Sequence, residues 1–344
     1  MKKPAEESVA VAARITDFLR HYAPGYRAAS ECTVKSYGTA ISMFLLYLEQ
    51  VVGATPATLA WSCFSRENIE GWLAWMRDAR GNSPSTCNVR LSSLRAFLEY
   101  AASRDVSLLS YCQQAAMVRK LKCQKGKVEG LTKDAVAAIM RAPDTSKRAG
   151  RRDVALMVLL YATAARIGEA LSIRLSHLRL DDARPHVVIT GKGGKVRVLY
   201  LLPRAVEHMR AYVREFHDDG SGPDDYLFYS RRSDKGRKLT QEAVRARLRI
   251  HAAAAHARCG DVPLGLHAHQ FRHARASHWL QEGMNIVQIS FLLGHAQLET
   301  TMVYLDISTD DELRALERLE TDEEKTVEPK WKGANGGLVG FCGL

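Results

Sequence analysis

The 344-residue sequence predicts a mainly α protein with a small β-sheet, built as an N-terminal helical domain followed by an α+β domain in which helices dominate. Three observations carry this. From Val11 to about Met117 apolar residues recur at helical spacing with little sign of strands. A basic, glycine-containing stretch, Arg119–Lys127, then interrupts the pattern with few core residues. Beyond it, two short β-branched runs joined by glycines stand among further helical segments.

In the first part, Tyr37, Ile41, Phe44, Leu45, Leu48 and Val52 place one apolar face on a helix over Thr33–Val52. A second helix is expected over Glu67–Arg77. A third begins at Ser83-Pro84, a capping residue with proline in the first turn, and buries Leu91, Leu94, Phe97 and Leu98. Its Thr86, Arg90 and Ser93 form a polar stripe expected to be exposed, either toward phosphates or as an ordinary solvated face. The Arg119–Lys127 segment reads as an interdomain strap, whose charge suits proximity to a polyanion but also mere solubility.

In the second part, helices are expected over Thr132–Met140 and Val154–Tyr161, then strands His186–Thr190 and Val196–Leu201. Gly191-Lys192-Gly193-Gly194-Lys195 joins the strands as a hairpin turn, since glycine supplies positive φ. A third strand is expected around Tyr226–Tyr229, and helices over Gln241–Ala257, His269–Glu282 and Asn285–Leu293. The resulting division is 1–118, a linker 119–128, a second domain 129–320 and a glycine-rich tail 321–344.

Lys and Arg number 49 against 38 Asp and Glu, a formal charge of +11. Because 46% of residues are hydrophobic, this charge belongs to folded surfaces, and a nucleic acid is the first partner to expect. No apolar run approaches the ~20 residues of a membrane helix. Glu6 and Glu7 interrupt any signal-like start, so a cytoplasmic location is expected, with no membrane partner. Seven scattered cysteines without a C-x-x-C pair read as reduced thiols.

Four separated signals in the second domain carry chemistry. Arg166 follows an apolar helix and needs a partner, either Glu169 or an incoming phosphate. Lys192 sits at the hairpin tip, where a lysine is ordinarily just solvated. His269 and Arg272 lie at i and i+3 in His269-Gln270-Phe271-Arg272, so imidazole and guanidinium share one helix face. Leu293-Gly294-His295 breaks a helix, and Tyr304 follows nine positions later; alone, such a tyrosine would be half-buried packing.

The order Arg, hairpin Lys, His-x-x-Arg, Leu-Gly-His, Tyr resembles the tyrosine recombinase, or phage integrase, family, and in particular its Xer-like site-specific recombinases. The runs Leu159–Thr163, Ile189–Gly193 and Arg272–Ala274 are similar to the family's boxes, and Asn88–Phe97 to its core-binding domain, so the likeness covers roughly residues 10–315. Two departures stand out. Ala164-Ala165 replace the usual glycine and apolar residue before the first arginine, and Phe271 replaces the usual leucine.

The resemblance implies a helical core-binding domain, a catalytic domain at 129–320, and a site-specific DNA strand transferase working through a 3′-phosphotyrosine. It assigns Tyr304 as nucleophile, Arg166 and Arg272 as holders of the non-bridging oxygens, Lys192 as general acid with Lys195 as nearest rival, and His269 and His295 to the phosphate or the tyrosine proton. It implies neither metal nor other cofactor. The implied partner is a double-stranded recombination site, bound by a homo-tetramer across two sites, with the need for accessory proteins open. Integration, excision and dimer resolution all use the same site, so that choice also stays open. Arg90, Lys120, Lys122 and Lys125 are candidate DNA contacts.

Three rivals remain. A zinc nuclease could use Cys259, His267, His269 and His273, although no H-E-x-x-H or acidic cluster accompanies them. A DNA-binding regulator could keep the fold without chemistry, which the complete polar set argues against. A type IB topoisomerase usually carries lysine where His269 stands. Gly191–Lys195 lacks P-loop spacing, so no nucleotide is implied.

Overall fold

The structure, a computed structural model, describes residues 6–27, 30–123, 130–217, 220–230, 237–294, 297 and 300–301, with 26, 27 and 192 described by backbone alone. The chain divides into two units, Met1–Val128 and Glu129–Leu344, each with its own core.

In the first unit, side-chain caps mark where helices begin. The helices are α1 (Glu6–Asp17), α2 (Glu31–Tyr47), α3 (Arg66–Asp78), α4 (Pro84–Arg104) and α5 (Leu109–Met117). Ser30, Ser65 and Ser83 each accept a hydrogen bond from the backbone N–H three residues on, satisfying a donor that the first turn cannot. The expected Thr33–Val52 helix is α2 plus a π-helical continuation, Leu48–Val52, stopped by Gly53 at φ 77°. Edge-on packing of Phe44 on Trp72, 5.2 Å between ring centroids, joins α2 to α3, and that of Phe18, just after α1, on Phe97 at 5.5 Å joins the N-terminal segment to α4.

The expected exposed stripe on α4 is not one. Ser93 is buried and donates to Val89 O at 3.0 Å, while half-buried Arg90 reaches across to Ser36 O at 3.2 Å. Ser93 bonds back to the preceding turn of its own helix, whereas Arg90 turns onto a carbonyl of α2, which packs alongside α4. The start of the expected strap also docks here: Asn88 accepts from Leu121 N at 2.8 Å and donates to Leu121 O at 2.9 Å.

The second unit contains α6 (Lys133–Arg141), α7 (Arg148–Thr163), the short α8 (Ile167–Ala170), strands β1 (Leu178–Arg179), β2 (His186–Thr190) and β3 (Val196–Tyr200), then α9 (Pro203–Phe216), α10 (Gln241–His256), α11 (Ala268–Gln281) and α12 (Ile286–Leu293). The strands form an antiparallel meander in chain order, with Ile189 opposite Arg197. The third strand is therefore β1, not the Tyr226–Tyr229 run, which makes only isolated bridges to Arg174 and Lys238. Helix α9 was not expected, although Ala205, Val206, Met209, Tyr212 and Phe216 line its buried face and Pro203 opens its first turn.

Several cations of the second unit are held by its own carboxylates. Arg151 forks onto Glu215 with both contacts at 2.7 Å. Asp153, buried on α7, accepts from Arg152 at 2.9 Å and from Arg247 at 2.6 Å, and lies 2.9 Å from His251 Nε2. Burial works to raise the Asp153 carboxyl, but these hydrogen bonds outweigh it and hold the group below the usual aspartate range. Among the described residues no helix is long and apolar enough to cross a membrane.

Candidate active site

Helix α7 ends at Ala164, which adopts the left-handed conformation (φ 49°, ψ 25°) and turns the chain toward Arg166. Arg166 is extended and opens α8, and the Glu169 carboxylate accepts from both its backbone N at 2.9 Å and its Nη1 at 3.0 Å. The guanidinium is thus held at one edge while its side chain stays 42% exposed. Glu169, only 8% exposed, also accepts from Arg197 Nη2 at 2.6 Å. Burial pushes the Glu169 carboxyl up, yet the hydrogen bond from Arg197 and those from Arg166 prevail and keep it below the usual glutamate range.

His267 precedes α11 and Gln270 caps it, accepting from His267 N at 2.9 Å, so the helix starts one position before His269. Arg272, one turn along, is 1% exposed. It donates from Nη1 to Ala164 O at 2.8 Å and from Nη2 to Leu293 O at 2.7 Å. One buried side chain therefore ties the turn before Arg166 to the end of α12. His269 presents surface to solvent and stands edge-on to His273, 4.5 Å between ring centroids. Partial burial of its ring, then the nearby charges of His273, Arg272, His267 and Arg166, pull its pKa down to about 4. The imidazole is consequently neutral at pH 7. Farther along α11, His278 is buried and pairs with the Tyr161 hydroxyl at 2.8 Å, a packing role.

Between β2 and β3, Lys192–Gly194 forms a single turn in which Gly193 and Gly194 take φ of 73° and 75°. Gly191 N donates to Lys195 O at 2.7 Å and closes its base, so the turn holds Lys192 at the tip as expected. At the other side of the site, Gly294 ends α12 in the left-handed region (φ 63°), its N–H returning to Phe291 O and Ser290 O.

The sequence-predicted set thus divides. The structure brings Arg166 and Arg272 into electrostatic range of His269, and it places the Lys192 backbone on the hairpin between β2 and β3. His295, Tyr304 and Lys125 lie outside the described residues. In the first unit Arg90 is turned onto Ser36, whereas Lys120 and Lys122 are exposed. Lys120 lines a groove of 650 Å³ with Thr33, Ser36, Asn88 and Ser92. Arg197 was missed by sequence reading. The one hint is that it shares the strand parity of buried Leu199, although the apolar Val196, Val198 and Tyr200 on the other parity favour the opposite face. Among the described residues no three His, Cys, Asp or Glu side chains stand together as a metal cluster.

A helical first unit, a mixed second unit with a three-stranded sheet, and a site converging on two arginines and a histidine define the class of tyrosine recombinases. Residues 129–310 match the model of the phage integrase family, and residues 15–105 match that of the phage integrase N-terminal SAM-like domain; the chain belongs to the phage integrase family. Among curated relatives, tyrosine recombinase XerC of Chlamydia muridarum is 28% identical over 302 residues, covering 83% of this chain and 91% of that protein. Tyrosine recombinase XerD of Pseudomonas putida is 29% identical over 286 residues, covering 82% and 89%.

Solved structures share the fold. The post-cleavage complex of XerH site-specific recombinase with palindromic difH substrate gives a TM-score of 0.69 at 18% identity, over 93% of this chain and all of that one (100%). A lambda integrase tetramer bound to a Holliday junction gives 0.62 at 15%, over 86% and 77%.

Proposed function

We propose that this protein cleaves and rejoins double-stranded DNA at specific sites, with Tyr304 as the nucleophile. The observation that carries this reading is the Arg272 bridge, which joins the segment leading into Arg166 to the one leading into His295 at 2.8 and 2.7 Å. Fixed cations suit a phosphoryl transition state, which gathers negative charge on its equatorial oxygens. Guanidinium forks match that geometry, and the partly exposed Arg166 has an edge to offer a non-bridging oxygen.

In the proposed step the Tyr304 oxygen attacks phosphorus, the bond to the 5′ oxygen breaks, and a 3′-phosphotyrosine forms. Lys192 donates the proton that the leaving 5′ oxygen takes up. The neutral imidazole of His269, or His295, accepts the tyrosine proton or hydrogen-bonds the phosphate. The covalent bond conserves the energy of the broken phosphodiester, so a 5′-hydroxyl from another strand can reverse the step without ATP or metal.

On this reading two recombination sites are held by four copies of the chain, strand exchange passes through a Holliday junction, and the protein works in the cytoplasm. Exposed Lys120 and Lys122, together with Lys125, would contact the DNA backbone. Arg90, held by Ser36, supports the groove wall more than it reaches outward. The outcome would be integration, excision or resolution of a DNA element.

The test is a nicked suicide duplex carrying a candidate site from the sequence flanking the gene, or a target library, recovered under denaturing conditions. An adduct that disappears in Tyr304→Phe supports the reading. Binding without an adduct on any library member overturns it in favour of a non-catalytic DNA-binding regulator.

A further inference from the structure

Arg197 is not among the residues assigned a role above, yet its guanidinium lies where three segments of the site meet. It donates to Glu169 Oε2 at 2.6 Å and to Oε1 at 3.4 Å, and its side chain is 9% exposed. A methyl group added at Gly191, the base of the hairpin, would stand 3.4 Å from Arg197 Nη1 and 3.4 Å from Glu169 Oε1. One added at Gly294, the end of α12, would stand 3.1 Å from Nη1 and 3.4 Å from Cδ and Cζ. The guanidinium therefore lies against two glycine backbones, leaving ordinary contact distance at Gly191 and less than that at Gly294, while anchored to the carboxylate that also holds Arg166.

Stability alone is a weak account of this arrangement. A buried ion pair spends most of its attraction on desolvation, and Arg197 Nε is buried without a hydrogen-bond partner among the described residues. An apolar side chain would fill the same volume without that penalty. What a fork can do, and an apolar chain cannot, is fix the distance between Glu169 and the hairpin: the strand register sets Arg197 opposite Ile189, two residues before Gly191.

We propose that Arg197 is a positioning residue for strand cleavage, pinning the β2–β3 hairpin to Glu169 so that Lys192 is presented to the leaving oxygen. This deepens the recombinase reading above and rests on it. The residue acts through the hairpin and touches no reacting atom.

The test compares adduct formation on two nicked duplexes, one with the natural 5′ oxygen and one with sulfur bridging phosphorus to the 5′ carbon. A thiolate departs without being protonated, so the sulfur substrate bypasses the general acid. Lys192→Ala sets the scale of that rescue. Arg197→Ala should lose about 10- to 100-fold in cleavage rate on the oxygen substrate, at unchanged DNA affinity, and recover most of it on sulfur. Arg197→Lys, which keeps charge and stem but not the fork, should show a smaller loss with the same recovery, and it serves if the alanine variant fails to fold. An unchanged rate on oxygen, or an equal loss on both substrates, overturns the proposal. Should the wild type form no adduct on either substrate, the recombinase reading itself fails.

Discussion

Arg272 and Ala164 are joined by a hydrogen bond of 2.8 Å from a fully buried guanidinium to the carbonyl of a residue in left-handed conformation. With the second bond to Leu293 O at 2.7 Å, the arginine satisfies two carbonyls that the ends of α7 and α12 leave over. Two helix ends far apart in sequence are thereby held by one side chain.

Replacing that fork tests its structural share. A lysine at 272 places one ammonium where two diverging bonds are needed, so at least one buried carbonyl loses its donor. Arg272→Lys should lower stability by about 2 kcal/mol, the cost of an unmade charge-assisted hydrogen bond in the interior. Urea denaturation of the two proteins side by side measures it. A midpoint equal to wild type would mean that the carbonyls find other donors.

Ala164 carries opposing terms. Left-handed backbone costs a non-glycine residue roughly 1–2 kcal/mol. Glycine would remove that strain, but it forfeits a buried methyl, about 0.8 kcal/mol, and adds about 0.4–1 kcal/mol of unfolded-chain entropy. Ala164→Gly should therefore fall within about 1 kcal/mol of wild type despite the glycine usual at this position. The alanine methyl is fully buried beside Ala276, Trp279 and Leu293, which explains how it is tolerated. Ala164→Val, which adds branching at positive φ and bulk in the same cluster, should lose at least about 2 kcal/mol in the same denaturation series.

Most helices were legible because their caps and apolar spacing agree: Ser83 and Asn285 both cap the helices expected to follow them. The missed α9 had the apolar spacing and a first-turn proline but no side-chain cap, since Leu202 stands at its N-cap, and it follows a strand whose outward residues are also apolar. Val196, Val198 and Tyr200 on β3 face solvent while Arg197 points inward, the reverse of the usual assignment, so period-two reading alone misjudges which side is buried. In the site, the motif residues were legible by type and spacing. The clamps were not, because Arg272 to Ala164 and Arg197 to Glu169 are contacts across 108 and 28 positions. Equally invisible was the inward turn of Arg90, since nothing local tells a lysine-like surface arginine from one that meets a carbonyl on the neighbouring helix.

Asp153 offers a third stability test. Its carboxylate is 6% exposed and receives Arg152, Arg247 and His251 from α7 and α10. Asp153→Asn keeps the shape but leaves the buried Arg152 charge uncompensated, at a cost of about 3–5 kcal/mol. The expected readout is a large drop in the urea midpoint. Arg247→Gln, which removes a more exposed partner, should shift it far less.

The pH dependence of stability isolates His269. Its folded pKa of about 4 lies below the ordinary histidine value of 6.5, so between these values the unfolded chain binds more protons than the folded one. Stability must then be complete above about pH 6.5 and decline as pH falls toward 4. His273 and His278, also depressed by burial and neighbouring cations, add to the same slope. His269→Asn should therefore flatten the decline across pH 6.5 to 4 without abolishing it, while leaving the steeper loss at lower pH, where Glu169 and Asp153 gain protons, unchanged. Urea midpoints for wild type and variant at half-unit pH steps check this. A wild-type slope identical to that of the variant would show that His269 titrates alike in folded and unfolded chains, and that its neutrality at pH 7 owes nothing to the cations around it.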